Sequence, residues 1–143
     1  MPQLHHLLYT SRRSESCTDE GIKALLNTCR ANNRKTGISG VLLHSDYFFL
    51  QYIEGPECIH QLFEKIQTDS RHQEVNLINF GPIESRAFPN WQMGYKSVNQ
   101  YKVQFLSNVT EEEANYFHRL LRGYPAEANS TPLRLLKSLF PRI

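Results

Sequence analysis

The sequence predicts an α+β domain of the ferredoxin-like type, with elements in the order β-α-β-β-α-β-β and two helices on one face of the sheet. Two segments each carry apolar residues at i, i+3, i+4 and i+7, which is the spacing of an amphipathic helix. Short β-type runs lie before, between and after these segments, and two of them, 38–44 and 47–54, form a predicted hairpin. A chain of 143 residues fits one such domain with a short extension.

The elements follow in order. We expect the first strand over 4–10, the first helix from Thr18 to near Ala31, and the second helix from near Pro56. The fourth strand is expected over 75–80, closed by Gly81-Pro82, and the fifth over 91–98. The helical stripes consist of Ile22, Leu25, Leu26 and Cys29 in the first helix, and of Ile59, Leu62, Phe63 and Ile66 in the second.

Residues 99–143 form a predicted helical extension to a domain over 1–98. Thr110-Glu111-Glu112-Glu113 has the pattern of a capping box and predicts a third helix that ends near Gly123. A short basic amphipathic segment follows over 133–140. Its apolar face could pack on the uncovered face of the sheet, which we favour, or on a second subunit. That face comprises Leu133, Leu135, Leu136, Leu139 and Phe140.

Composition excludes several functional classes. The net charge of +2 is too small to indicate a nucleic-acid or membrane partner by itself. The N-terminal residues lack the features of a signal peptide, and no apolar run approaches the length of a membrane span, so we expect a cytoplasmic protein. Three widely spaced cysteines and six histidines without HExxH or CxxC spacing predict neither a disulfide framework nor a metal site.

Two polar side chains need partners. Gln51 shares a strand face with Phe49 and Ile53, and an unpaired carboxamide on a helix-covered face would cost about 1–3 kcal/mol. Tyr9 lies on the first strand, which neighbours the third strand in this fold, so its hydroxyl can meet Gln51. Such a pair is compatible with a ligand site and equally with a structural hydrogen bond or a bound water.

Five motifs, taken together and in order, resemble the BLUF family of blue-light sensors that use FAD. The resemblance covers residues 3–98. The motifs are Leu8-Tyr9-Thr10-Ser11, the turn and strand start at 32–40, Phe49-Leu50-Gln51-Tyr52-Ile53-Glu54-Gly55, Asp69-Ser70-Arg71-His72, and 86–93 with Trp91 and Met93.

The resemblance implies roles for individual residues. Tyr9 would donate an electron and a proton to the photoexcited flavin, and Gln51 would lie between its hydroxyl and the ring. Trp91 and Met93 would sit on the fifth strand beside Gln51 and pass the signal outward. Cofactor contacts are implied for Asn33 at the polar pyrimidine edge of the ring and for Asn32 on the flavin or phosphoribityl side. The other implied contacts are Lys65 near the ribityl–phosphate chain, Asp69, Arg71 and His72 in the same pocket, and Ile22, Leu25 and Ile66 on the helices around the ring.

The resemblance also implies FAD, or another flavin such as FMN, as cofactor, and no enzymatic activity. A short stand-alone member would signal to a separate downstream protein. Whether the chain forms a homo-oligomer is left open by the sequence. Two other functions remain as alternatives. An RRM-like nucleic-acid module shares the β-α-β-β-α-β core, but its glycine-rich basic signature is missing. A small ferredoxin-like enzyme could use Asn33, Arg71 and His72, but no nucleophile–base pair stands out.

Overall fold

The computed structural model describes residues 3–56, 59–70, 72–91, 93–106, 108–127 and 132–140. The described strands and helices follow in chain order as β1 (Leu4–Arg13), α1 (Asp19–Thr36), β2 (Ser39–His44), β3 (Phe48–Pro56), α2 (Ile59–Thr68), β4 (His72–Ile83), β5 (Gly94–Ser97), α3 (Glu111–Leu121) and α4 (Pro132–Lys137).

The five strands form one sheet in the order β4-β1-β3-β2-β5. β1 pairs antiparallel with both β3 and β4, and β5 joins the other side of the sheet parallel to β2. The predicted adjacency of the first and third strands is therefore confirmed. In that pairing Tyr9 lies directly opposite Gln51, which places the two side chains on the same face of the sheet.

Alternating residues of the strands supply two separate cores. One core lies between the sheet and helices α1 and α2, and contains Leu7, Tyr9, Phe49 and Ile53 from the central strands. The other contains Leu8, Val41, Leu43, Leu50 and Tyr52, and is covered by α3 and α4. We call these the α1/α2 face and the α3/α4 face.

The predicted end of the first helix near Ala31 is wrong, because α1 continues to Thr36. Gly37 ends it in the left-handed conformation, with φ of 73°, and its N–H donates to the carbonyl of Asn33. The N–H of Ile38 donates to the same carbonyl at 3.1 Å. Asn32 and Asn33 are thus in the last turns of the helix, because the glycine terminates it and the asparagines do not.

Other strand and helix limits also differ from the prediction: β1 continues beyond residue 10 to Arg13, and β4 begins at His72, before residue 75. β4 continues through Gly81 and Pro82 to Ile83, and an edge strand can accommodate a proline since its missing N–H needs no partner. β5 begins only at Gly94, so Trp91 and Met93 precede it. Pro56 ends β3 and does not open α2, which begins at Ile59 among the described residues.

The C-terminal helices cover the sheet face opposite α1 and α2. Thr110 caps α3, and the capping box with Glu113 is confirmed. From α3, Phe117 and Leu120 are fully buried in the core of the α3/α4 face, where they meet Leu136 and Leu139. The predicted packing of the C-terminal apolar face on the sheet is therefore confirmed. No helix among the described residues is long and apolar enough to span a bilayer.

Candidate functional site

A buried tyrosine–glutamine pair lies at the centre of the α1/α2 face. Tyr9 is 0 % exposed and Gln51 is 5 % exposed. The Tyr9 hydroxyl donates a hydrogen bond to Oε1 of Gln51, and Nε2 of Gln51 donates to Sδ of Met93 at 3.5 Å. The two ends of the amide therefore have different partners: the oxygen accepts from a hydroxyl, and the amino group donates to a sulfur.

The protonation state of Tyr9 sets the direction of this hydrogen bond. Burial raises the pKa of the Tyr9 phenol well above its ordinary value, and interactions with Cys29 and Asp69 raise it further. The phenol consequently stays protonated and acts as a donor. Its proton selects the amide orientation in which the Gln51 oxygen faces Tyr9 and the amino group faces Met93.

Met93 and Trp91 lie on opposite sides of the sheet, so the predicted placement of Trp91 beside Gln51 is wrong. Met93 is 2 % exposed and belongs to the core of the α1/α2 face. The Trp91 ring instead packs against Phe88 and Phe140, with ring centroids 5.9 and 5.0 Å apart. Within a strand, residues i and i+2 point to the same face. Trp91 and Met93 precede β5, so this rule does not apply to them.

Gly94 provides space for the Trp91 ring. A Cβ built on Gly94 would lie 2.1 Å from Cε3 of Trp91, which is far inside van der Waals contact. A side chain at this position would therefore displace the ring. The absence of a Cβ at the first residue of β5 is thus part of what holds Trp91 on the α3/α4 face.

A cleft of about 320 Å³ opens between the end of α1 and helix α2. Asn33 is buried at its wall and Asn32 is exposed at its rim, while Lys65 lies on the α2 side. Ile38 and Leu62 supply apolar surface. Amides for a polar ring edge, apolar walls for a flat ring and a cation for phosphate are the groups a flavin nucleotide requires, so the residues present fit the cofactor.

His72 joins the Tyr9 end of the α1/α2 face. Its Nδ1 lies 2.7 Å from the hydroxyl of Ser11, and its ring centroid lies 4.8 Å from that of Phe49 and 6.0 Å from that of Tyr9. Asp69 is half-buried, and its carbonyl accepts from the His72 N–H at 3.1 Å. Arg71, the third residue predicted here, lies outside the described residues.

The remaining predicted contacts lie on the two helices of the same face. Ile22 is buried in the core of the α1/α2 face, Leu25 of the same helix is half-buried, and Ile66 packs against that core from α2. The structure thus brings Tyr9, Gln51, Met93 and His72 into one cluster. It places Asn32, Asn33 and Lys65 in the neighbouring cleft.

Glu54 has no role in the sequence-based predictions, yet the structure shows it to be a central polar residue. Its side chain is fully buried, and its carboxylate accepts from the hydroxyls of Tyr52 and Ser39 at 2.9 and 3.0 Å. The backbone N–H groups of Ala87 and Phe88 donate to it at 2.8 Å each. A charged residue among the mostly apolar residues of β3 was the available signal. The network ties β2 and β3 to the segment that leads to Trp91.

Comparison with known proteins settles the family. The family model described as "Sensors of blue-light using FAD" matches residues 4–94. The chain belongs to the BLUF family. The matched segment includes every residue of the cluster and the cleft, from Tyr9 to Met93.

Relatives and solved structures agree with this assignment. Photoactivated adenylate cyclase subunit alpha of Euglena gracilis is 33 % identical over 115 residues, which is 78 % of this chain and 10 % of the relative. The beta subunit from the same organism is 34 % identical over 93 residues, 63 % of this chain and 11 % of its own. The chain thus spans about a tenth of the length of these relatives.

The fold of the BLUF protein BlrB in its dark state resembles this chain with a TM-score of 0.72 at 29 % identity, covering 96 % of this chain and 94 % of that one. The photo-activated state of BlsA matches with a TM-score of 0.65 at 26 % identity, over 87 % of this chain and 99 % of that one. The predicted α+β fold is therefore confirmed, and FAD is the cofactor of the family. BLUF domains are sensory modules. Membership of the family therefore favours a sensory function over the RRM-like and enzymatic alternatives.

Proposed function

We propose that this BLUF protein is a cytoplasmic blue-light receptor in which Tyr9 is the electron and proton donor and Gln51 is the relay. Bound FAD would supply the light absorption and the oxidising power. The observation that supports the proposal is the buried chain Tyr9–Gln51–Met93, in which each polar atom contacts the next. A phenol kept protonated by burial has both an electron and a proton to give.

Gln51 can act as a two-state element because the two ends of its amide differ. In the orientation described, the oxygen accepts from Tyr9 and the amino group donates to Met93. Rotation or tautomerisation would exchange these roles, so the group facing the Met93 sulfur would change from a donor to an acceptor. Met93 would then lose its favourable contact, and its displacement would report the state of the amide.

The signal would leave through the segment around β5 toward the α3/α4 face. Met93 and Trp91 are two residues apart, and the Trp91 ring contacts Phe140. Lys96 Nζ donates to the carbonyl of Leu139 at 3.2 Å. A shift of β5 would consequently move Leu139 and Phe140, which follow α4. We therefore propose the C-terminal helices as the surface that a separate partner protein recognises.

The cofactor would bind along the α1/α2 face. Asn33, buried in the cleft, would bind the polar edge of the ring, and Lys65 would lie near the ribityl–phosphate chain. Ile22, Leu25 and Ile66 would pack against the ring from α1 and α2. His72 and Asp69 would close the pocket at the Tyr9 end. The cleft is within the lower range of small-molecule sites, so the adenosine part of FAD would extend beyond it.

Colour and its response to light test the proposal directly. The purified full chain should be yellow and carry FAD, and blue light should shift its flavin absorption to longer wavelength, with reversal in the dark. A protein that stays colourless after reconstitution with FAD would remove the receptor function altogether.

Two variants test the relay. Tyr9→Phe and Gln51→Leu should each abolish the normal reversible shift while FAD remains bound, because each removes one side of the hydrogen-bonded pair. Tyr101→Phe is a matched control, since Tyr101 is exposed, and it should behave as the unmodified chain. A full shift in Gln51→Leu would disprove the relay, and loss of FAD from Tyr9→Phe would make Tyr9 a structural residue.

A further inference from the structure

Arg30 connects helix α1 to the segment that carries Met93. Its Nε donates to the carbonyl of Met93 at 3.1 Å, and its guanidinium lies 5.7 Å from the ring centroid of Tyr95 in β5. The side chain is half-buried. One arginine on the helix that lines the cofactor cleft thus contacts the residue before β5 and a residue within it.

This contact matters because Met93 lies outside the strand pairing. The β2–β5 ladder begins at Gly94 opposite Val41. Upstream of it, the carbonyl of Trp91 accepts from the N–H of Gly40 in β2 at 2.8 Å. The carbonyl of Met93 accepts from Arg30 instead. These two bonds hold the carbonyls of Trp91 and Met93, two residues apart, against different elements, β2 and α1. The side chains of the same two residues point to opposite faces of the sheet.

We propose that Arg30 is a positioning residue that holds the Met93 sulfur beside Gln51. A hydrogen bond from a charged donor to a carbonyl is stronger than one between neutral groups. The cation–π contact with the Tyr95 ring orients the guanidinium further. Movement of α1 on the cofactor would reach Met93 through this bond without passing through Gln51. The photochemical part of this inference rests on the proposed function.

The chemistry of the arginine side chain suggests a sharp set of variants. The amide nitrogen of glutamine occupies the same place along the side chain as Nε of arginine, so Arg30→Gln keeps a donor at that position. Arg30→Leu keeps the apolar stem and removes the donor. Lys23→Leu is the matched control, since Lys23 is an exposed cation of the same helix. Arg30→Ala repeats the test if Arg30→Leu does not fold.

Methionine NMR provides a readout independent of photochemistry. The chain has two methionines, Met1 and Met93, so ¹³C-methyl labelling gives one resonance from the site, assigned with Met93→Leu. In the FAD-bound full chain kept in the dark, Arg30→Leu should move the Met93 resonance, whereas Arg30→Gln and Lys23→Leu should leave it in place. An unmoved resonance in Arg30→Leu overturns the proposal, as does an equal shift in Arg30→Leu and Arg30→Gln.

Dark recovery tests the coupling to the relay. Because Arg30 stabilises the arrangement that recovery restores, Arg30→Leu should slow recovery by about threefold to tenfold relative to Lys23→Leu. A moved resonance with an unchanged recovery rate would overturn the coupling. If the unmodified chain shows no light-induced shift, the proposed receptor function fails, while the NMR comparison still decides the role of Arg30.

Discussion

The two faces of the sheet are built from the same strands but have different chemistry. The α3/α4 face brings apolar side chains such as Leu43, Leu50 and Phe117 into one continuous core, in which the Tyr52 hydroxyl donates to the buried Glu54 carboxylate. The α1/α2 face has a similar apolar frame, yet a hydrogen-bonded phenol and amide lie at its centre and a cleft opens beside them.

The difference shows how one strand serves stability and function together. In β3, Leu50 and Tyr52 point to the α3/α4 face, while Phe49, Gln51 and Ile53 point to the α1/α2 face. Apolar burial on one face stabilises the sheet by about 25 cal/mol per Å². The other face can then hold polar groups whose hydrogen bonds change without unfolding the domain.

The largest effect should follow from damage to the α3/α4 face. Phe117 is fully buried there, and Phe117→Ala should lower the free energy of unfolding by about 3–5 kcal/mol because it leaves a cavity in a packed core. Denaturant unfolding of the FAD-bound chain measures this. Leu106→Ala, at an exposed site, should change stability by about 0.5 kcal/mol or less. Equal losses in both variants would contradict the assignment of Phe117 to the packed core of the α3/α4 face.

A smaller effect is expected where the two faces meet at β5. Gly94→Ala introduces a Cβ that would overlap the Trp91 ring, and overpacking of this kind costs about 1–3 kcal/mol. Trp91 is the single tryptophan of the chain, so its fluorescence reports the displacement directly. The emission should move to longer wavelength as the ring leaves Phe88 and Phe140. Unchanged emission would show that the ring does not depend on Gly94.

The next largest effect on stability should follow from breaking the Tyr9–Gln51 hydrogen bond on the α1/α2 face. Gln51→Leu leaves the Tyr9 hydroxyl buried without its acceptor, which should cost about 1–2 kcal/mol of stability. The double variant Tyr9→Phe/Gln51→Leu removes both polar groups and should recover most of that loss. A double-mutant cycle in denaturant, with FAD saturating throughout, measures the coupling. Additive losses would show that the pair is not one hydrogen-bonded unit.

The smallest predicted effect is a pH dependence of the free energy of unfolding. Nε2 of His118 in α3 accepts from the Val103 N–H at 2.9 Å, and burial, followed by the charge of Arg122, lowers the His118 pKa. The unfolded chain therefore binds this proton first as pH falls, and stability should decline below about pH 6.5. Unfolding of His118→Gln should depend less on pH in this window than unfolding of the unmodified chain, and an unchanged dependence would contradict the role of His118.

Much of the fold could be predicted from local patterns. The stripes of α1 and α2, the β2–β3 hairpin and the capping box at Thr110 are signals within a few residues, and each appears in the structure. Limits of elements were predicted less well. α1 passes through two asparagines because the decisive residue is Gly37, and β4 passes through Pro82 because it lies at the edge of the sheet.

The sequence by itself determined the order of the elements, the two buried helical faces and the need of Gln51 and Tyr9 for a polar partner. Period-2 and period-3.6 patterns contain this information because they depend on neighbours along the chain. Only the tertiary structure decided that Met93 meets Gln51 while Trp91 packs on Phe140. The same holds for Glu54 as an acceptor for four donors and for Arg30 bound to Met93. These contacts join residues far apart in the chain, so no local pattern specifies them.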